Sequence, residues 1–183
     1  MEEKKDQGIS IAVQFPEGVT GTLTESALSL KGPNGEITRD FFSPLVNIAL
    51  NGNVVGLSTR SSKKNFKKIL NTLNAHVKNM VRGVTEGFTY ELKICSGHFP
   101  MTVKKEGEEV VISNFLGEKI PRRSKIVQGA DLEIKGELII VKSPDTEKAG
   151  QTAANLEKAT FIKKRDRRIF QDGCYIISKP GKK

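Results

Sequence analysis

ISIAVQF, Ile9 to Phe15, alternates apolar with small or polar residues, the period-two signature of a strand with one buried face. Pro16, Glu17 and Gly18 then turn the chain, and VTGTLT and ALSLK continue the strand-like pattern. Asn34-Gly35, inside KGPNGE, predicts a hairpin, and Asn51-Gly52, flanked by LVNIAL and NVVGLS, predicts a second. The period then changes. Phe66, Ile69, Leu70, Leu73, Val77, Met80 and Val81 fall on one helical stripe, which predicts a helix over Ser62 to Arg82. Ser61 or Ser62 is placed to cap its start, and Gly83 lies just past its expected end. Lys63, Lys64, Lys67, Asn71, Asn74 and Lys78 occupy the other face.

GVTEGFTYELKI reads as a hinge, after which the pattern repeats. Phe15-Pro16 recurs as Phe99-Pro100. LSLKGPNGEI recurs loosely as VISNFLGEKI, a hairpin with its glycine at the tip. DLEIKGELIIVK is two strands around Gly136, matching the hairpin at Asn51-Gly52. A helix follows in SPDTEKAGQTAANLEKA, with Ser143 as expected cap, Pro144 at the first helical position, and a buried stripe of Ala149, Ala153 and Leu156. Strands, hairpin, strands, helix, twice over, predicts an α+β chain of two similar domains from an internal duplication, residues 1–83 and 84–183. Each is an antiparallel sheet packed with one main helix.

Composition changes this picture by adding a partner. The chain has 183 residues, only 37% hydrophobic and without tryptophan, which suits two modest cores better than one large core. The net charge is +9, but it is not spread evenly. Leu57 to Arg82 holds seven basic residues and no acid; Thr160 to Lys183 holds eight basic residues and two acids, so everything else is net acidic. The densest run is Lys163 to Arg168, five cations and one acid. It leads directly into the strand-like IFQDGCYIISK. Segregated cations of this kind are the footprint of a phosphate-binding surface. No apolar run is long enough to span a membrane, and the charged MEEKKDQG is no secretory leader, so a cytosolic protein is expected.

Little points to catalysis. Cys95 and Cys174 have no C-x-x-C partner and read as reduced thiols on strands. His76 and His98 lack metal-ligand neighbours and read as structural or surface histidines. Ser61-Ser62-Lys63-Lys64 contains the S-x-x-K spacing of penicillin-recognising enzymes but none of their partner motifs. Glu106, Glu108 and Glu109 form a solvated hairpin turn. No phosphate-binding glycine loop is present. A non-enzyme without metal or cofactor is expected. Gln151, Thr152 and Asn155 line one side of the second helix, where small residues admit an RNA groove, and Phe170 and Tyr175 are either base-stacking or core aromatics.

RRIFQDGCYI, Arg167 to Ile176, resembles the C-terminal signature of the archaeal and eukaryotic form of large-subunit ribosomal protein six, the universal uL-six family. GQTAANLEKAT and KKRDRR before it, FPEGV, KGPNGEITRDF and MVRGVTEGFTYEL resemble the same family in the same order, over about Ile9 to Lys179. Cys174 stands where an aliphatic residue is expected, and a small apolar thiol fits a strand interior. The RDRRIFQDG ending resembles the archaeal type. The resemblance implies two duplicated α+β domains and assembly into the cytoplasmic large ribosomal subunit. It implies binding of 23S-type rRNA near the sarcin–ricin loop and the base of the factor-binding stalk, with neighbouring ribosomal proteins and translation factors close by. It implies neither a membrane nor a homo-oligomer. The residues it marks for rRNA are Lys163, Lys164, Arg165, Arg167 and Arg168, with Lys142, Lys148, Gln151, Thr152 and Asn155 beside them. Arg60, Lys63, Lys64 and Lys67 are assigned to rRNA or to a neighbouring protein. The cation clusters alone also fit a free-standing RNA-binding or chaperone module. Residues 1–8 and 180–183 are expected to lack fixed structure outside the particle.

Overall fold

In the computed structural model of the chain, residues 8–181 are described; the expectations for residues 1–7, 182 and 183 lie outside these. The chain forms two compact units, one closing at Glu86 and the other beginning at Gly87. The first contains β1 (Ser10–Gln14), β2 (Thr20–Thr24), β3 (Ala27–Gly32), β4 (Gly35–Asp40), β5 (Val46–Asn51), β6 (Val54–Thr59) and α1 (Lys64–Thr85). Its strands make two antiparallel sheets, in the orders β1-β6-β5 and β2-β3-β4. The helical stripe packs as its spacing requires: Leu70, Val77, Met80 and Val84 join Val13, Leu28, Leu30, Val55 and Leu57 in one buried cluster.

The second unit contains β7 (Phe88–Cys95), β8 (Thr102–Glu106), β9 (Glu109–Ser113), β10 (Arg122–Lys125), β11 (Asp131–Lys135), β12 (Leu138–Ser143), α2 (Thr146–Ala159) and β13 (Gly173–Ser178). Its sheets have the orders β10-β9-β8 and β11-β12-β7-β13. The repeat is therefore topological as well as sequential. β7 with β11 and β12 reproduces β1 with β5 and β6, and β8 to β10 reproduce β2 to β4. The difference is β13, which pairs antiparallel with the edge of β7 whose counterpart on β1 has no strand beside it among the described residues.

Several local signals read from the sequence resolve differently in three dimensions. The first hairpin forms, but Gly32 pairs with Gly35, so its loop is Pro33-Asn34, one residue earlier than the glycine pair suggested. The shift has a cause in the helix. Asn34 donates its backbone N–H to Val84 O at 3.0 Å and its Nδ2 to Thr85 O at 2.6 Å. The turn thus satisfies carbonyls that a helix C-terminus leaves unpaired. Gly83 does not end α1 but lies buried inside it, and the glycine in left-handed backbone after the helix is Gly87, φ +74°. At the other end Lys63 is the capping residue and makes no side-chain cap bond, while Ser61 Oγ accepts from Lys63 N at 3.2 Å.

In the second unit Asp145, not Ser143, caps α2, accepting from Glu147 N at 2.9 Å. Ser143 closes β12 and is buried, donating its hydroxyl to Gly129 O at 2.8 Å. Pro144 therefore precedes the cap instead of opening the helix. β9 and β10 pair as a hairpin expects, Ile112 opposite Arg122, but their link is a long irregular loop with a 3-10 turn at Phe115–Gly117. That detour buries the Phe115 ring and needs left-handed backbone at Asn114 and Leu116, φ +59° and +51°.

The docking of the first hairpin on α1 yields a prediction. A Cβ on Gly32 would lie 2.8 Å from Val84 O and 2.9 Å from Val84 Cβ. Gly32→Ala must push the hairpin off the helix end and break both Asn34 bonds. It should lower stability by about 2 kcal/mol, read as a reduced denaturant midpoint, a cost in the range of overpacking.

Candidate RNA interface

The basic run is not a tail. It is a loop with a closed base. Thr160, the residue capping the C-terminus of α2, is buried, and its Oγ1 accepts the Cys174 N–H at 2.9 Å across 14 residues of chain. The same hydroxyl lies 3.3 Å from Glu157 O, to which it donates. Ile162, 5% exposed, plugs the core just inside the base. Burial pushes the Cys174 thiol up to about 12, so it stays neutral and packs as a small apolar group.

Arg122 braces the entry to the loop from β10. Its Nη1 donates to Ala159 O at 2.8 Å and Phe161 O at 3.1 Å, while its Nε and Nη2 grip both carboxylate oxygens of Glu118. Its guanidinium sits 4.3 Å from the Phe115 ring centre. The Glu118 carboxyl is held below its usual range by this guanidinium. An arginine inside a cationic surface is thus a structural part here. In the sequence nothing distinguishes it from its neighbour Arg123.

Within the loop, Lys163, Lys164, Arg165, Arg167 and Arg168 are all exposed. Three of them are positioned by specific contacts. The Arg165 guanidinium lies 4.8 Å from the Phe170 ring centre, and that of Arg167 lies 4.9 Å from Phe161. Stacking engages the face of a guanidinium and leaves its in-plane N–H donors for an anion. Arg168 donates its Nη2 to Asp166 Oδ2 at 2.9 Å, and its backbone N donates to Asp166 Oδ1 at 2.9 Å. These bonds hold the Asp166 carboxyl below its usual range. Asp166 also offers its carbonyl to Phe170 N at 2.9 Å. The lone acid of the run therefore organises the turn that carries the cations.

On the far side of the base, Asp172 is buried and receives the His98 N–H on Oδ1 at 2.9 Å and His98 Nδ1 on Oδ2 at 2.7 Å. The His98 ring stacks on Phe170, with centroids 4.7 Å apart. Burial alone would raise the Asp172 pKa. The backbone N–H groups of His98 and Gly97, with the His98 ring, outweigh it and hold the carboxyl below its usual value. Phe170 and Tyr175 are both half-buried, and the Tyr175 hydroxyl donates to Asp172 O at 3.3 Å. They are framework aromatics.

The remaining expected contacts divide. Lys148 and Gln151 are exposed on α2. Asn155 is half-buried and already engaged, accepting from Gln151 Nε2 at 2.7 Å and donating to Lys125 O at 3.2 Å. Thr152 must be withdrawn as an RNA contact. It is fully buried, its hydroxyl accepting Val127 N–H at 3.1 Å and donating to Lys148 O at 2.9 Å. Lys142 is exposed on β12, but it alternates with the buried Val141 and pairs with Thr89, so it points away from the sheet face that α2 covers. It does not join Lys148 and Gln151. Arg60, Lys63, Lys64 and Lys67 are exposed in the first unit, at the start of α1. Among the described residues no cluster of three or more His, Cys, Asp or Glu is arranged to hold a metal. No described helix is long and apolar enough to cross a membrane.

The chain is thus a two-unit α+β protein whose second unit presents a braced cationic loop. Comparison with known proteins makes the class specific: the family profile for ribosomal protein L6 matches residues 15–87 and 99–173, one match in each unit. Curated relatives agree. The large ribosomal subunit protein uL6 of Methanobrevibacter smithii is 47% identical over 91% of this chain and 94% of its own length. That of Archaeoglobus fulgidus is 47% identical over 92% of this chain and 88% of its own. That of Haloarcula marismortui is 40% identical over 94% and 97%. The chain belongs to the uL6 family of large ribosomal subunit proteins.

The bracing can be tested at two residues. Arg122→Lys keeps the charge but cannot reach two carbonyls and a carboxylate at once. It should cost about 2 kcal/mol in a denaturant titration, the scale of broken charge-assisted bonds. Asp172 has a lowered folded pKa, so its stabilising effect is complete above the ordinary aspartate value of 3.8 and disappears as pH falls through the folded value. Melting temperature measured from pH 6 downward should therefore drop more steeply below about pH 4 in the native chain than in Asp172→Asn.

Proposed function

We propose that the loop Lys163–Arg168, which leaves the C-terminal end of α2, together with Lys148 and Gln151 on the exposed face of that helix nearer its N-terminus, clamps phosphates of 23S-type rRNA, near the sarcin–ricin loop and the base of the factor-binding stalk. Membership of the uL6 family makes the chain a structural constituent of the large ribosomal subunit in the cytoplasm. The site on the rRNA rests on the family resemblance and on one structural observation: five exposed cations sit on a loop whose base is closed by a buried hydrogen bond. A loop already ordered before binding loses less conformational entropy on meeting RNA than a flexible tail does. Phosphate contact supplies affinity and orientation without reading bases, which is the chemistry of an architectural component. In this role the protein performs no reaction and supports the site where translational GTPases act. Arg60, Lys63, Lys64 and Lys67 form a second contact surface, for rRNA or a neighbouring protein.

Titration of the full chain with the sarcin–ricin region of large-subunit rRNA, across a salt series, tests the clamp. The Arg165/Arg167/Arg168→Ala variant should bind more weakly. Its plot of log K against log salt should be shallower by roughly 0.7–0.9 for each phosphate that the variant no longer neutralises. Unchanged affinity and slope would remove the loop from the interface.

A further inference from the structure

We propose that His98 is a positioning residue for the basic loop, holding the Phe170 ring, and through it the Arg165 guanidinium, in register with the rigid base of the second unit. The inference rests on the reading of the loop as an rRNA clamp and adds a residue that neither the cation pattern nor the family resemblance marks.

His98 is remote from the loop in sequence, following β7 and lying 74 positions before Asp172. Its attachment has two points: the backbone N–H binds one Asp172 oxygen at 2.9 Å and ring Nδ1 meets the other at 2.7 Å. Main chain and ring are therefore fixed together. The Asp172 side chain is only 3% exposed, so water does not compete for it. The His98 ring then stacks on Phe170 at 4.7 Å with an interplanar angle of 30°. Phe170 bonds through its N–H to Asp166 O, inside the basic run, and carries the Arg165 guanidinium on its ring. The connected series is thus Asp172, His98, Phe170, Arg165, running from a buried carboxylate to an exposed cation.

His98 is itself 39% exposed, which is an unusual place for a residue whose task is only to fill the core. Its two functions need one side chain with a donor nitrogen and an aromatic face together. Phenylalanine keeps the face and loses the donor. Asparagine keeps a donor and loses the face. That separation makes the proposal testable by substitution.

Full-length wild type, His98→Ala, His98→Phe, His98→Asn and Arg165→Ala are titrated with the same rRNA fragment over a salt series, well below their melting temperatures. Arg165→Ala should weaken binding and flatten the salt slope. His98→Ala should weaken binding two- to ten-fold, the range expected for leaving one or two side chains to be ordered on binding. It should do so with the wild-type salt slope, because the same phosphates are still neutralised. His98→Phe should recover most of the missing affinity although it melts lower than wild type, and His98→Asn should not. A merely structural role would make affinity follow melting temperature across the series and would overturn the proposal. So would wild-type affinity in both His98→Ala and His98→Asn while Arg165→Ala is weakened, which leaves the clamp standing. A flattened slope in His98→Ala would make His98 a direct phosphate ligand instead. Wild-type behaviour of Arg165→Ala would remove Arg165 from the clamp, and the positioning role with it.

Discussion

The hydrogen bond from Cys174 N–H to Thr160 Oγ1 joins the end of a helix to the start of an edge strand, and the geometry of the second unit's basic loop hangs on that junction. Without it, the segment between α2 and β13 would be a tether between two elements. With it, the segment becomes a loop whose ends are fixed to within one bond length. Each neighbouring feature serves the junction. Gly173, φ +147°, adopts backbone closed to other residues and brings the strand against Thr160, whose Oγ1 would lie 3.2 Å from an added Cβ. Pairing of β13 with β7 then carries the junction into the sheet, Gly173 opposite Cys95 and Cys174 opposite Ile94.

Holding five cations close together is electrostatically unfavourable in the free protein, and the loop limits this by internal means. Asp166 neutralises Arg168, and two guanidiniums lie over rings whose faces are electron-rich. Exposed ion pairs contribute little to stability on their own. Their value here is geometric: they choose one arrangement of long, otherwise mobile side chains. The His98–Asp172 pair at the base does the opposite work, since the Asp172 carboxylate is shielded from water and binds a residue from a distant part of the chain.

Period and polarity make the frame legible in the sequence. Seven apolar residues at helical spacing describe α1, and Ala149, Ala153 and Leu156 describe the buried stripe of α2, because burial on one face leaves a periodic trace. The hairpins at Asn34-Gly35, Asn51-Gly52 and Gly136 are legible for another reason, their turn residues. The charge of the loop was legible, but its geometry was not. Misreadings arose where one residue type serves two purposes. Gly83 reads as a stop but is a packing position, and Ser143 reads as a cap but is a buried strand end. Thr152 reads as a polar surface residue but satisfies the Val127 amide inside the fold. The sequence marks His98 only as a structural or surface histidine and leaves Asp172 and the bracing by Arg122 unmarked, because the contacts from His98 to Asp172 and from Arg122 to the α2 exit span 74 and 37 or more positions, which no local pattern records.

The placement of β13 has a consequence for how the molecule comes into being. Every strand of the first unit, and the helix that packs on them, is made by the end of α1. The second unit is ordered differently: β7 is made first, and the strand that covers its edge is made last among the elements described. At about 5–20 residues per second, that edge waits roughly 4–16 s for its partner during synthesis. Throughout this interval Lys163 to Arg168 is either unmade or unfastened. The chain thus acquires its organised cationic face only as the closing step of vectorial folding, after the frame that will present it is already in place.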